Sequence, residues 1–147
     1  MVTFQGPVVE VLIAKLHRVT CTEANVNYVG SVTVDGEWLD ASGLFEGQKV
    51  DIANLRNGER FSTYIIRGLE GSGILCTNGA AAHLVMPGDK LIIMAYGWMT
   101  REEYKEFDPK VLAFHDIADY RIVNDVVEFN SKPTYDILRR EVPDDSK

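Results

Sequence analysis

Cysteine is scarce in this chain, and the two present are not arranged for chemistry. Among 147 residues only Cys21 and Cys76 occur. Both lie in apolar, strand-like runs and lack C-x-x-C spacing, so they read as buried small hydrophobes rather than metal ligands or a redox pair. Positive charge is also short. Fifteen Lys and Arg against 22 Asp and Glu leave a net charge of −7, which argues against nucleic acid as a partner. An anionic substrate is still allowed, because a few local cations suffice for that. The longest apolar run, Leu91 to Met99, is far short of the roughly 20 residues of a membrane span. The N-terminus has no basic start followed by an apolar core, so the expectation is a cytoplasmic protein with no membrane partner. No G-x-G-x-x-G, P-loop or metal-ligand spacing is present, and no external cofactor or metal is expected. There is no internal repeat and no linker. At this length the chain is expected to form one domain, residues 1–147, able to bury its own core.

What the sequence does contain is a succession of short β-forming runs separated by turn residues. Residues 1–10, broken by Gly6-Pro7, read as a loose arm. Val11 to Thr22 is a long strand interrupted by Lys15, His17 and Arg18. Tyr28 to Val34 is a second strand, followed by an Asp35-Gly36 turn. Glu37 to Ser42 suits a short helix with Gly43 as its C-cap. Val50 to Leu55 and Arg60 to Ile66 flank Asn57-Gly58, the strongest hairpin signal in the chain. Gly68, Gly71 and Gly73 loosen the loop before Ile74 to Thr77. Pro87-Gly88-Asp89 turns the chain into Lys90 to Tyr96. Thr100 and Glu103 have the spacing of a capping box for a brief helix, which Pro109 closes off. Val111 to Phe114 and Arg121 to Phe129 are further strands. The polar tail from Ser131 is read as carrying at most a helical turn. Such a pattern predicts a mainly β barrel or sandwich with short helices, and periodicity does not choose between the two.

The stretch with chemical content is Gly30-Ser31, placed inside a strand where an interior glycine is costly unless the backbone bends or is closely approached. Elsewhere a Gly-Ser step is usually a bend. Here the serine hydroxyl can turn on the preceding carbonyl, which no side chain shields. An N→O acyl shift would give an ester; β-elimination and hydrolysis would then leave a pyruvoyl group at position 31.

Four blocks occur in order: Lys15-Leu16-His17-Arg18, Asn27-Tyr28-Val29-Gly30-Ser31, Arg60-Phe61-Ser62-Thr63-Tyr64 and Asn78-Gly79-Ala80-Ala81-Ala82-His83. With them the chain resembles the aspartate 1-decarboxylase family, the self-processing enzymes that make β-alanine for pantothenate. The resemblance runs from about Lys15 to Val111. Family members commonly begin with an Arg-Thr-Met stretch near the position of Val9; this chain has Val9-Glu10-Val11 preceded by extra residues. The resemblance implies a small double-psi β-barrel, assembled as a homotetramer with active sites at subunit interfaces. It also implies cleavage between Gly30 and Ser31 into residues 1–30 and 31–147, spontaneously or with a maturation factor. The reaction implied is decarboxylation of L-aspartate through a Schiff base with a pyruvoyl group derived from Ser31. Such a group answers a chemical need, because few protein side chains can hold the electron pair that a departing carboxylate leaves at Cα.

Arg60, Ser62 and Tyr64 alternate on one face of their strand, and Phe61, Thr63 and Ile65 on the other. Alternation alone would choose between Thr63 and Tyr64; the resemblance implies both. It gives Thr63 a part in self-cleavage, with Gly30 and Ser31, and in substrate contact, and gives Tyr64 the role of proton donor. Arg60 is the natural partner for a carboxylate, which its planar fork binds bidentately. Lys15 is the second cation, which the resemblance places at the site of the adjoining subunit, with His17 on the same side of the strand. Asn78 to Ala82 reads as a turn followed by helix formers. A pocket floor is the alternative, with Gly79, Ala80 and Ala81 letting substrate approach the main chain; the resemblance implies this, and that Asn78 orients the pyruvoyl. His83 and His115 read as ordinary polar residues. Two other readings remain. One is an unprocessed barrel serving as a binding or assembly module. The other is the same chemistry on a related acidic amino acid such as glutamate, since one methylene is worth only about 1–3 kcal/mol of discrimination.

Overall fold

Alternating β-branched and polar residues build the elements that carry the sequence motifs. The computed structural model describes residues 6–27, 30–117 and 119–139. It is mainly strands with short helices, as a small β-barrel requires. In chain order come β1 (Val8–Thr20), β2 (Glu23–Asn25), β3 (Ser31–Asp35), helix α1 (Gly36–Ser42), β4 (Lys49–Asn54) and β5 (Arg60–Gly68). Then follow β6 (Leu75–Asn78), a 3-10 turn (Gly79–His83), β7 (Lys90–Thr100), helix α2 (Arg101–Glu106) and β8 (Lys110–Phe114). The last strands are β9 (Tyr120–Val123), β10 (Val126–Phe129) and β11 (Tyr135–Leu138).

Nine strands form one sheet in the order β11-β8-β1-β7-β4-β5-β3-β6-β2, and β9 and β10 make a separate hairpin. This order cannot be flat. β1 and β2 stand third and ninth, six strand spacings apart, or roughly 29 Å across a planar sheet. Yet only Cys21 and Thr22 separate Thr20 from Glu23, a reach of about 10 Å. The sheet must therefore curl until its edges meet, and the backbone shows the seam. Thr22 N–H donates to the Leu75 carbonyl on β6, and Cys21 N–H to that of Asp89, just before β7. Inside lie Leu16, Val32, Ile52, Ile65, Leu75 and Ile93, all fully buried. Trp38 of α1 meets Phe114 of β8 edge to face, with centroids 4.8 Å apart.

Several sequence expectations hold. Gly43 ends α1 with φ 80°, and α2 has the complete Thr100–Glu103 capping box. β4 and β5 pair antiparallel across Asn57-Gly58. Others change. The expected arm 1–10 gives its last three residues to β1; residues 1–5 lie outside the described residues. Asp35-Gly36 is a helix start instead of a hairpin turn: the Asp35 carboxylate accepts the Glu37 N–H at 2.8 Å. Arg121 to Phe129 is a hairpin, turned at Asn124 and Asp125 with φ 51° and 62°. The polar tail contributes β11, which adds to the edge of β8. Tyr28 and Val29, expected in the strand with Ser31, lie outside the described residues, and β3 begins at Ser31 itself.

Candidate active site

β3 and β6 run antiparallel with Ser31 opposite Asn78 and Thr33 opposite Cys76. Paired residues share a face, and alternate residues return to it. Val32, Val34, Leu75 and Thr77 therefore point into the barrel, and Ser31, Thr33, Cys76 and Asn78 to its other side. Despite facing outward, Ser31 is fully buried, and Asn78 and Cys76 nearly so. The side chains make a connected set. Asn78 Nδ2 donates to Ser31 Oγ at 2.9 Å and to Thr33 Oγ1 at 3.1 Å. The Cys76 thiol donates to Asn78 Oδ1 at 3.2 Å. Gly30 precedes this set as an exposed bend, and a Cβ added there would meet nothing within 4 Å.

β3 runs parallel to β5 with Val32 opposite Ile65. Ser31 and Tyr64 each stand one residue before this pair, on the same outer face. Tyr64 is 39% exposed. Thr63 is half-buried on the opposite, core-facing side of β5, opposite Val50 of β4. The strand thus has the two faces expected, and register brings Tyr64, not Thr63, beside Ser31. Arg60 begins β5 on the Tyr64 face, exposed, with Ser62 between them bonded to Asp51 at 2.5 Å. Lys15 is half-buried on β1, between Met94 of β7 and Val111 of β8. Among the described residues neither Arg60 nor Lys15 has an ion-pair partner. Lys15 is four strand spacings from β3 in the sheet order.

Gly79 follows Asn78 with φ 64°, the left-handed region that glycine enters at no steric cost. The 3-10 turn it opens has no side-chain cap, because the Asn78 amide is engaged with Ser31 and Thr33 instead. Gly79 is buried, Ala80 exposed and Ala81 half-buried, so small residues line the turn next to the serine. His17 is half-buried, and its Nδ1 is buried without a hydrogen-bond partner among the described residues. Burial, reinforced by Lys15 and Arg18, lowers its pKa from the ordinary imidazole value, which favours the neutral ring. His115, read as an unremarkable polar residue, has two partners, Thr134 Oγ1 at 2.8 Å and Asp136 Oδ2 at 2.9 Å, and ties β11 to β8.

Both cysteines are buried, as expected, and burial pushes their thiols up to about 12 for Cys21 and about 11 for Cys76. The thiol of Cys76 nevertheless belongs to the polar set. Its contact, and that of Thr33, went unrecognised in the sequence. Two-residue alternation was the available signal, since Ser31 with Thr33, and Cys76 with Asn78, each share a face. Among the described residues no cluster of His, Cys, Asp and Glu could hold a metal ion.

The family model for aspartate decarboxylase matches residues 8–120. An aspartate 1-decarboxylase of Caldicellulosiruptor saccharolyticus is 56% identical over 108 residues, covering 74% of this chain and 84% of its own. That of Porphyromonas gingivalis is 55% identical over 115 residues, covering 78% and 97%. That of Bacillus cereus strain G9842 is 54% identical over 103 residues, covering 70% and 81%. With a family model spanning most of its length and relatives this similar over most of theirs, the chain belongs to the aspartate decarboxylase family.

Proposed function

We propose that the chain decarboxylates L-aspartate to β-alanine and carbon dioxide for pantothenate synthesis, using a pyruvoyl group that it makes from its own Ser31. The observation that carries this reading is the Ser31 hydroxyl. It is fully buried, receives the Asn78 amide N–H at 2.9 Å, and follows a glycine with open space around it. In self-processing, Oγ attacks the Gly30 carbonyl carbon, the C–N bond breaks, and the hydroxyl proton ends on the departing nitrogen. Loss of the Ser31 Cα proton then expels the Gly30 carboxylate from Cβ. One water enters and one ammonia leaves, giving the ketone. The Asn78 N–H stabilises the negative charge that Oγ carries as its proton leaves, before the bond to the Gly30 carbon forms. Thr63, on the core-facing side of β5, is the proposed donor to the oxyanion at Gly30 on the family resemblance and not on register.

The cut falls where the chain enters β3. Residues 1–30 keep β1 paired with β7 and β8, and β2 paired with β6. Residue 31 stays paired with Asn78. Both pieces thus remain in one barrel, consistent with a single self-processing domain over residues 1–147.

A pyruvoyl group at position 31 would supply a carbonyl for the substrate amine and an electron sink for the pair left as the α-carboxylate departs. The chain's own groups do the rest. Arg60, without an ion-pair partner among the described residues and on the outer face of β5, binds a substrate carboxylate, with the main chain at Gly79, Ala80 and Ala81 as the floor and Thr63 as a further contact. Asn78 keeps its donor on the group at position 31. Tyr64, beside Ser31 by register, returns a proton to the carbon. Lys15, without an ion-pair partner among the described residues and separated from β3 by three strands in the sheet order, is read as serving the site of a neighbouring subunit, within a homotetramer. Among the described residues no helix is long and apolar enough to cross a membrane, and the reading includes a cytoplasmic location and allows a maturation factor.

Intact mass of the purified protein tests the reading. Wild type should appear as residues 1–30 and 31–147, the larger lighter than a serine-initiated fragment by the mass of one ammonia. Ser31→Ala should stay whole and inactive. An uncut, active wild type would overturn it.

A further inference from the structure

We propose that Cys76 and Thr33 are positioning residues for Ser31, acting by fixing which way round the Asn78 amide sits. The inference rests on the reading of Ser31 as the self-processing residue. A carboxamide is nearly symmetric in shape, and a half-turn exchanges its donor end with its acceptor end. Asn78 has no second tie of its own, because it does not cap the 3-10 turn that follows it. Its orientation must come from what surrounds the amide.

Two neighbours supply it. The Cys76 thiol is a donor aimed at Oδ1, at 3.2 Å, and its other acceptor, the Thr77 carbonyl, is farther away at 3.8 Å. Burial holds that thiol protonated at neutral pH. On the other side, the Thr33 hydroxyl accepts the second N–H at 3.1 Å, alongside the first to Ser31 at 2.9 Å. If the amide were turned over, its NH2 would face a sulfur, a weak acceptor, whereas the two hydroxyls could turn to donate to its oxygen; the thiol therefore selects the orientation, and Thr33 secures it by accepting the second N–H. The consequence for chemistry is direct. In the observed orientation an N–H meets Oγ when its proton leaves and the oxygen becomes negative; in the reverse one a carbonyl oxygen does, and repels it. Cys76 and Asn78 are almost excluded from water, where hydrogen bonds of this kind have their largest effect. Neither Cys76 nor Thr33 touches the scissile peptide through these contacts; both act through Asn78.

The test follows cleavage of freshly made full-length chain by intact mass, with melting temperature measured alongside. Cys76→Ala and Thr33→Val should each slow conversion by roughly 2- to 12-fold, the effect of one neutral hydrogen bond. Cys76→Ser restores a donor of similar size and should cleave near the wild-type rate. A Cys76→Ala chain that cleaves at the wild-type rate, or a Cys76→Ser chain as slow as Cys76→Ala, would overturn the proposal. So that lost stability is not mistaken for lost orientation, the amide itself is read by NMR in the uncleaved Ser31→Ala chain. The Asn78 NH2 protons should show an Overhauser contact to the Thr33 methyl group, and Cys76→Ala should weaken it. An unchanged contact would also overturn the proposal. A wild type that never yields the 31–147 fragment refutes the self-processing reading itself, and is distinguishable because no variant is needed to see it.

Discussion

Replacing Asp35 with alanine should cost this fold more than almost any other polar substitution. Asp35 ends β3, four residues beyond Ser31, and is 1% exposed. Its carboxylate accepts three backbone N–H groups. Oδ1 takes those of Glu37 at 2.8 Å and Gly71 at 2.9 Å, and Oδ2 takes that of Gly73 at 2.7 Å. The first is the N-cap of α1, worth about 0.5–2 kcal/mol. The other two hold a loop whose glycines stand at φ 78° and 72°. Hydrogen bonds to a charged group contribute about 1.5–3 kcal/mol each, and water can replace part of the one at the partly exposed Gly71. Allowing for overlap, Asp35→Ala should lose about 3–5 kcal/mol, which for a chain of this size lowers the melting temperature by roughly 9–15 °C. Asp35→Asn keeps one acceptor oxygen and should lose about half as much. Calorimetry in the Ser31→Ala background keeps every chain whole and comparable. An alanine variant melting within about 3 °C of its parent would show that the three contacts are replaced by water at no cost, and the reasoning would fail.

Three further outcomes are expected. Tyr64→Phe keeps the ring, so cleavage should be complete, whereas β-alanine formed per pyruvoyl group should fall by roughly 10²–10⁴; near-normal turnover would mean that the proton comes from elsewhere. Mixing inactive Lys15→Ala with inactive Ser31→Ala subunits should restore part of the activity through hybrid sites, and failure despite demonstrated subunit exchange would place each site within one chain. Burial alone would raise the Asp89 carboxyl, but Arg56, the Met86 N–H and Asn54 outweigh it and hold it below the ordinary value of 3.8. A depressed carboxyl adds stability that is complete above that value and is lost as pH falls through the lowered folded one. The gap in melting temperature between wild type and Asp89→Asn should therefore be constant from about pH 7 to 5 and narrow on acidification below about 3.8; a gap independent of pH would remove the ion pair from the account.

What the sequence alone determined is what depends on neighbours a few residues apart. The Gly43 cap, the Thr100–Glu103 box, the hairpin at Asn57-Gly58 and the two faces of Arg60 to Ile65 were all legible, because each is decided by local backbone energetics and by the two-residue repeat of a strand. The family blocks, and with them Ser31, Tyr64 and Asn78, were legible for a different reason: they are linear motifs. Tertiary structure decided everything that needed a register between distant strands. Ser31 meets Asn78 across 47 residues, and Asp35 reaches the loop at Gly73 across 38. Asp35-Gly36 has the same composition as a hairpin turn, and becomes a helix start because the chain enters α1 there while Gly71 and Gly73 donate to its carboxylate. The tail after Ser131 looks polar because β11 lies at the sheet's edge with three of its four residues exposed; only pairing with β8 makes it a strand. Cys76 looked like a small apolar residue, and its burial agrees. That its thiol bonds the amide beside Ser31 could emerge only once β3 and β6 were in register, since a hydrogen bond requires its two atoms within about 3 Å and composition sets no distances.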